Sequence, residues 1–216
     1  MEQLNMDYQY GADNRAEIIP FLPDGYRRIL EIGCAYGNFR ENITNCDEYW
    51  GIEPNLSASK IAAKNLDRVL VGDFDAVYSQ LPDKYFDLVI CNDVIEHMAD
   101  HNYFLQKIKN KMSDNSFIIG CIPNVRHIRN LFNLLIKKDW KYMTNGILDY
   151  THLRFFTKKS IIDVFNDNSY DIQLLEGVNK ESFKWSLKYF VKFPFFFILG
   201  MDLRFTQFAF RIKPCN

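Results

Sequence analysis

Five short apolar runs recur at close intervals through the first 123 residues, and each ends on a polar residue, a glycine or a proline. They are RRILEIG (27–33), YWGIEP (49–54), RVLVGD (68–73), FDLVICN (86–92) and SFIIGCIP (116–123). A strand with one wet face alternates apolar and polar residues. These runs are nearly continuous, so both faces must be covered. The stretches between them have helical spacing: GNFRENI, NLSASKIAAKNL and HMADHNYFLQKIKNKM, the second capped by Asn55 or Ser57. Strand–helix alternation predicts an α/β, doubly wound domain with right-handed crossovers.

After Pro123 the rhythm loosens. NVRHIRNLFNLLIKK reads as a helix, DWKYMTNGILDYTHLRF as a loop, TKKSIIDVFND as a helix with a Thr cap, and YDIQLLEGV and RFTQFAFRIK as closing strands. Between those strands lies the aromatic, basic stretch SFKWSLKYFVKFPFFFILGM. Its apolar part, 193–201, is shorter than the roughly 20 residues that span a membrane, and predicts a buried helix. An interfacial segment is the alternative, since Lys184, Lys188 and Lys192 recur beside Trp185, Tyr189 and Phe193. No repeat, linker or boundary divides the chain, so residues 1–216 are expected to form one domain.

Hydrophobic residues at 48% and charged residues at 25% suit a globular protein. The five cysteines are scattered and never in a CxxC spacing, which argues against a disulfide framework or a structural zinc and for a reducing compartment. The polar start MEQLNMDYQYGADNR has no secretory pattern, so a cytoplasmic location is expected, with the inner membrane surface as a second option. Residues 1–100 carry eight Lys/Arg against 18 Asp/Glu, and residues 101–216 carry 18 against nine. Either these charges are solvated helix faces, or the second half meets something acidic.

The most specific segment is ILEIGCAYGNF (29–39): a strand ending at Glu31, then the small-residue turn Gly33-Cys34-Ala35-Tyr36-Gly37 entering a helix. Glycine permits positive φ and lets a ligand lie against bare backbone, above the sheet where ligands of such folds bind. Glu53 follows 20 positions after Gly33, where an acid can accept both hydroxyls of a ribose. Asp73 follows 20 positions later, with Phe74 placed to pack on a purine, and the fourth strand ends in Asn92-Asp93. The GxGxxG arrangement of dinucleotide sites is absent, because Ala35 stands between the two glycines.

The EIGCAYG turn, the Glu of GIEP, the Asp of VGDFDA and the block FDLVICNDVIEHMAD resemble the successive motifs of class I S-adenosylmethionine-dependent methyltransferases. The resemblance covers residues 25–125 with specific motifs and continues loosely to the end. It implies a Rossmann-like, seven-stranded, mostly parallel sheet with an antiparallel last strand, and S-adenosylmethionine as cofactor. Glu31 would organise the methionine end, Gly33, Cys34, Ala35 and Gly37 the loop under the cofactor, and Glu53 with Pro54 the ribose. Asp73 and Phe74 would hold the adenine, the backbone carbonyl of Asn92 would meet the methionine amino group with Asp93 beside it in the cofactor site, and Arg15 would pair either with the methionine carboxylate or with a surface acid. The family's middle glycine is Ala35 here, so the loop must differ slightly. Residues 1–122 would then be the cofactor-binding core and 123–216 the acceptor side. The acidic first half suits a ligand with sulfonium and ammonium charges and no phosphate.

PNVRH (123–127) and GILDYTHLRFFTKKSI (146–161) resemble stretches of bacterial methyltransferases associated with surface-polysaccharide biosynthesis. That resemblance implies methyl transfer to a hydroxyl or amine of a sugar, sugar nucleotide or glycan-linked acceptor, and Arg126, Arg129, Lys137, Lys138 and Lys141 lead us to expect an acidic one. The alternatives are a small aromatic or quinone-like acceptor and a non-catalytic S-adenosylmethionine-binding partner protein. Nucleic acid is not expected, because no recognition motif occurs. His152, oriented by Asp149, is the expected general base, with His127 as rival; a structural role for His152 in a packed loop is the competing reading. His97 and His101 stand four apart on an expected helix, but two ligands do not make a metal site, so no metal is expected. Peripheral membrane association and oligomeric state stay open.

Overall fold

The computed structural model describes residues 14–180 and 199–215. Seven strands form one sheet: β1 Arg28–Ile32, β2 Glu48–Glu53, β3 Arg68–Val71, β4 Phe86–Asn92, β5 Met112–Pro123, β6 Tyr170–Lys180 and β7 Phe205–Pro214. Their order is β3-β2-β1-β4-β5-β7-β6. The pairs from β3 through β5 are parallel, and β7 runs antiparallel to both β5 and β6. This is the doubly wound, mostly parallel sheet with an antiparallel last strand that the apolar runs and motifs led us to expect.

Alternate residues of the central strands feed two separate cores. Val89 and Cys91 of β4 pack into one cluster with Leu30, Phe104 and Phe210. Leu88 and Ile90 pack into the other with Ile29, Phe39 and Ile119. Burial on both faces is why these runs show no polar alternation.

The helices are shorter than the sequence pattern suggests. They are α1 Leu56–Ala62, α2 Phe74–Val77, α3 His101–Ile108, α4 Ile128–Leu135 and α5 Lys158–Asp167. Asn55 caps α1 by accepting from Ser57 and Ala58 N–H, and Thr157 caps α5 in a reciprocal pair with Ser160. GNFRENI forms only a 3₁₀ turn over Asn38–Asn42. The long helix expected from His97 to Met112 is broken: Ile95–His97 is a 3₁₀ turn, α3 starts after the Asp100 cap, and Met112 already belongs to β5. Asp100 accepts from Tyr103 N–H at 2.8 Å, a local bond that competes with a continuous helix. His97 and His101 therefore do not share a helical face. Of the segment 193–201, residues 193–198 lie outside the described residues; Leu199 and Met201 are exposed. Among the described residues, no helix is long and apolar enough to cross a membrane.

Candidate active site

The strand order reverses between β1 and β4, leaving a crevice beyond their carboxyl ends. A cavity of about 1540 Å³ fills it. Pockets for one small ligand run to roughly 300–1,000 Å³, so this one has room for a donor and an acceptor together. The tips of the first four strands converge on it: Glu31, Glu53 with Pro54, Asp73 with Phe74, and Asn92 with Asp93 all line its wall.

The turn after β1 is built by backbone handedness. Gly33, Ala35 and Gly37 have φ of 66°, 48° and 76°, the left-handed region that disfavours a side chain. Ala35 holds this conformation because its N–H donates to Glu53 Oε2 at 2.9 Å. The other oxygen, Oε1, accepts from Asn55 N–H at 2.8 Å. Glu53 is only 1% exposed, and the two bonds fix its carboxylate across the gap between turn and β2. Each carboxylate oxygen has a second lone pair, so these bonds leave acceptor capacity for hydroxyls. Gly33, Cys34 and Ala35 line the cavity. Gly37 does not; a Cβ there would press on Leu66 and Ala62 at 3.2–3.5 Å, so this glycine seats the turn against α1. The Cys34 sulfur is buried over Gly51, where a Cβ would come within 2.5 Å of it, and so Cys34 offers the cavity mainly its backbone.

Glu31 is buried and accepts from the Tyr49 hydroxyl at 2.8 Å. Burial pushes its carboxyl up to about 8, against the pull of the Tyr49 hydrogen bond. Asp73 caps α2 through Oδ1, and Phe74 packs edge-on against Phe104 at 4.9 Å. Both side-chain polar atoms of Asn92 are buried with no protein partner. Asp93, at φ 51°, accepts from Gln207 and pairs with Arg15, which also approaches Glu17 at 3.5 Å. Arg15 lines the same cavity, with its guanidinium engaged by these two acids.

At the other end of the cavity the loop 139–155 folds back on the 3₁₀ turn that follows β4. The Glu96 carbonyl accepts from the N–H groups of both Leu153 and Arg154. His127, Asp149 and His152 all line the cavity, as do His97 and Thr151. The orientation expected from Asp149 is supplied otherwise. His152 Nδ1–H donates to the Ile147 carbonyl at 3.0 Å, while Asp149 Oδ1 accepts from the Thr151 N–H and hydroxyl. Asp149 acts on the imidazole through its charge, raising a pKa that burial lowers more strongly. His127 is buried at the start of α4.

Glu96 is the residue that sequence reasoning missed. Its carboxyl is 1% exposed, and burial pushes it up to about 8. It lies 3.9 Å from His152 Nε2. His97 and His152 meet edge to face at 4.7 Å. The sequence signal was an acid enclosed by apolar neighbours in VIEHM, directly before a histidine.

Residues 5–175 match a family described as a methyltransferase domain. The chain belongs to that family. Among curated relatives, the ubiquinone biosynthesis O-methyltransferase of Rickettsia typhi is 24% identical over 199 residues, 87% of this chain and 78% of its own length. The mitochondrial enzyme of that name from Schizosaccharomyces pombe is 25% identical over 172 residues, 74% of this chain and 62% of its own. A SAM-dependent methyltransferase from Archaeoglobus fulgidus superposes with a TM-score of 0.64 at 22% identity, covering 91% of this chain and 90% of its own. Another from Mesorhizobium loti gives 0.60 at 16% identity, covering 94% and 99%.

This methyltransferase uses S-adenosylmethionine, and the cavity fits it. The wall presents acids and an unsatisfied Asn92 amide to a ligand that is cationic at one end and rich in donors at the other.

Proposed function

We propose that this methyltransferase moves the methyl group of S-adenosylmethionine to a hydroxyl of a small aromatic, quinone-like acceptor. The single observation that carries this reading is the placement of His97 and His152 on the cavity wall, with Glu96 directly behind them. An oxygen acceptor must shed a proton as it is methylated, and groups that handle protons or charge at that point accelerate the step.

Glu53 and Pro54 would hold the ribose, Asp73 and Phe74 the adenine, and Glu31, Asn92 and Asp93 the methionine end. When bound, the cofactor supplies a methyl group already activated on a sulfonium. The chain's own task is alignment, which can contribute about 7–11 kcal/mol, and reception of the acceptor oxygen at His152. Met143 and Ile147 give the acceptor an apolar surface, and Phe155 meets His152 edge to face at 6.4 Å, with Trp140 edge-on against it at 5.5 Å.

Two further features favour this acceptor over a sugar. The curated relatives carry ubiquinone-biosynthesis names, and none of those described above is a polysaccharide enzyme. α4 turns Asn130 and Asn133 to the cavity, while Phe132, Leu135 and Ile136 are exposed beside Lys137 and Lys138. That outer face suits a membrane surface, from which a lipophilic acceptor would arrive.

The test is a product assay with S-adenosylmethionine labelled on the methyl group. Prenylated and simple catechols should gain the label on a phenolic oxygen, and sugar nucleotides should not. Label transferred to the sugars alone would overturn the reading.

A further inference from the structure

We infer that Asn130 and Asn133 of α4 read the acceptor: their amides hydrogen-bond an oxygen substituent on its ring other than the hydroxyl that is methylated. The choice of an oxygenated ring rests on the O-methyl reading above.

α4 presents three faces. Ile128 and Leu131 pack on Leu203 of the 3₁₀ turn Met201–Arg204, in a small cluster apart from the two sheet cores. Phe132 and Leu135 are exposed. His127, Asn130 and Asn133 recur at intervals of three, which puts them on one side of the chain's helical path, and all three line the cavity. An asparagine inside a helix is a poor choice for stability, because its amide competes for backbone groups and burial strips its hydration. Here two of them face inward while phenylalanine and leucine face out, the reverse of the usual placement of polar and apolar residues on a helix.

Two observations direct these amides to a ligand. The first is their spare hydrogen-bonding capacity. Asn130 is 8% exposed, and its Nδ2 donates to the Val125 carbonyl at 3.3 Å. That is its one side-chain hydrogen bond among the described residues, and Asn133 makes none. An amide carries two N–H donors and two oxygen lone pairs, so Asn130 keeps one donor and its carbonyl oxygen for a guest. The second is that the helix is held by other groups. Asn124, fully buried, donates to the carbonyls of Asp202 and Phe205 at 2.9 Å and accepts from the Arg126 N–H at 3.0 Å. Arg126 in turn pairs with Asp202 at 3.1 Å. These bonds and the Leu203 contact fix the start of α4 to the closing strand, so the amides stand on a rigid mount without having to serve it.

The chemistry of the amide sets what it reads. Its N–H donates to a quinone carbonyl or a methoxyl oxygen, and its carbonyl accepts from a hydroxyl, so one side chain serves an oxygenated ring in either redox state. An alkyl group in the same place leaves the enclosed amide unpaired, and a site built to hydrogen-bond rejects such an analogue strongly.

The test is calorimetry of 3-methoxycatechol and 3-ethylcatechol, matched in size, with protein saturated in S-adenosylhomocysteine. The methoxyl compound should bind at least about tenfold more tightly. Asn130→Leu should bring that ratio to within about twofold while S-adenosylhomocysteine affinity stays within about twofold, and Asn133→Leu should lower the ratio at least about threefold. If Asn130→Leu fails to fold, Asn133→Leu decides. Equal affinities in the parent protein, no binding of either compound, or an unchanged ratio in the folded variants would overturn the proposal. Methylation of the same pair separates it from the O-methyl reading. A methoxyl preference in binding with no label on a phenolic oxygen would overturn that reading alone, and labelled products with no preference would overturn the role of the amides alone.

Discussion

The Tyr49 hydroxyl donates to Glu31 Oε2 at 2.8 Å, joining neighbouring strands at the floor of the cavity through two nearly fully buried side chains. Burial outweighs that bond and lifts the carboxyl from about 4.5 to about 8. The folded chain therefore holds a proton that the unfolded chain releases. Its contribution to stability is fully present below about 4.5 and is lost as pH rises through about 8. The limiting slope for one such group is about 1.4 kcal/mol per pH unit. Thermal unfolding of the ligand-free protein should show the midpoint falling from pH 5.5 to 8.5, and Glu31→Gln should flatten part of that fall. A Glu31→Gln curve parallel to that of the parent would show that Glu31 is ionised in the folded chain.

Ala35 occupies a left-handed conformation that costs a non-glycine residue about 1–2 kcal/mol. Ala35→Gly relieves that cost but adds unfolded-chain entropy, so stability should change by less than about 1 kcal/mol. Ala35→Val adds a branched side chain at a positive φ and on the cavity wall. It should lower stability by about 1–3 kcal/mol and weaken S-adenosylhomocysteine by tenfold or more. Equal behaviour of the two variants, read by chemical denaturation and calorimetry, would contradict this account of the turn.

Asn92 predicts opposite signs for stability and binding. Its buried amide atoms lack protein partners, so Asn92→Leu should stabilise the ligand-free protein by up to about 1–3 kcal/mol. The same change should weaken cofactor binding, because an apolar side chain replaces an unpartnered amide on the cavity wall. A loss of both stability and affinity would mean that the amide is structural.

The sheet was legible because its residues carry their environment locally: Ile29, Leu30, Leu88 and Val89 read as strand interior wherever they stand. Glu31, Glu53 and Asp73 were legible as strand-tip acids because their spacing follows strand and crossover lengths. The acceptor side was less so. His152 reaches Glu96 only because the Glu96 carbonyl captures Leu153 and Arg154, more than 50 residues along the chain. No periodicity encodes that closure. Similarly, HMADH reads as helix by composition, and only the Asp100 cap breaks it between the two histidines. Gly37 looked like part of a ligand loop, and its neighbours Leu66 and Ala62 show that it serves packing.

The account stands on the β-strand tips gathering around one cofactor, and calorimetry of S-adenosylhomocysteine with Glu53→Ala tests that most directly. Losing one or two charge-assisted hydrogen bonds, at about 1.5–3 kcal/mol each, predicts affinity at least tenfold weaker in a variant that still folds cooperatively. Affinity within twofold of the parent protein would contradict it.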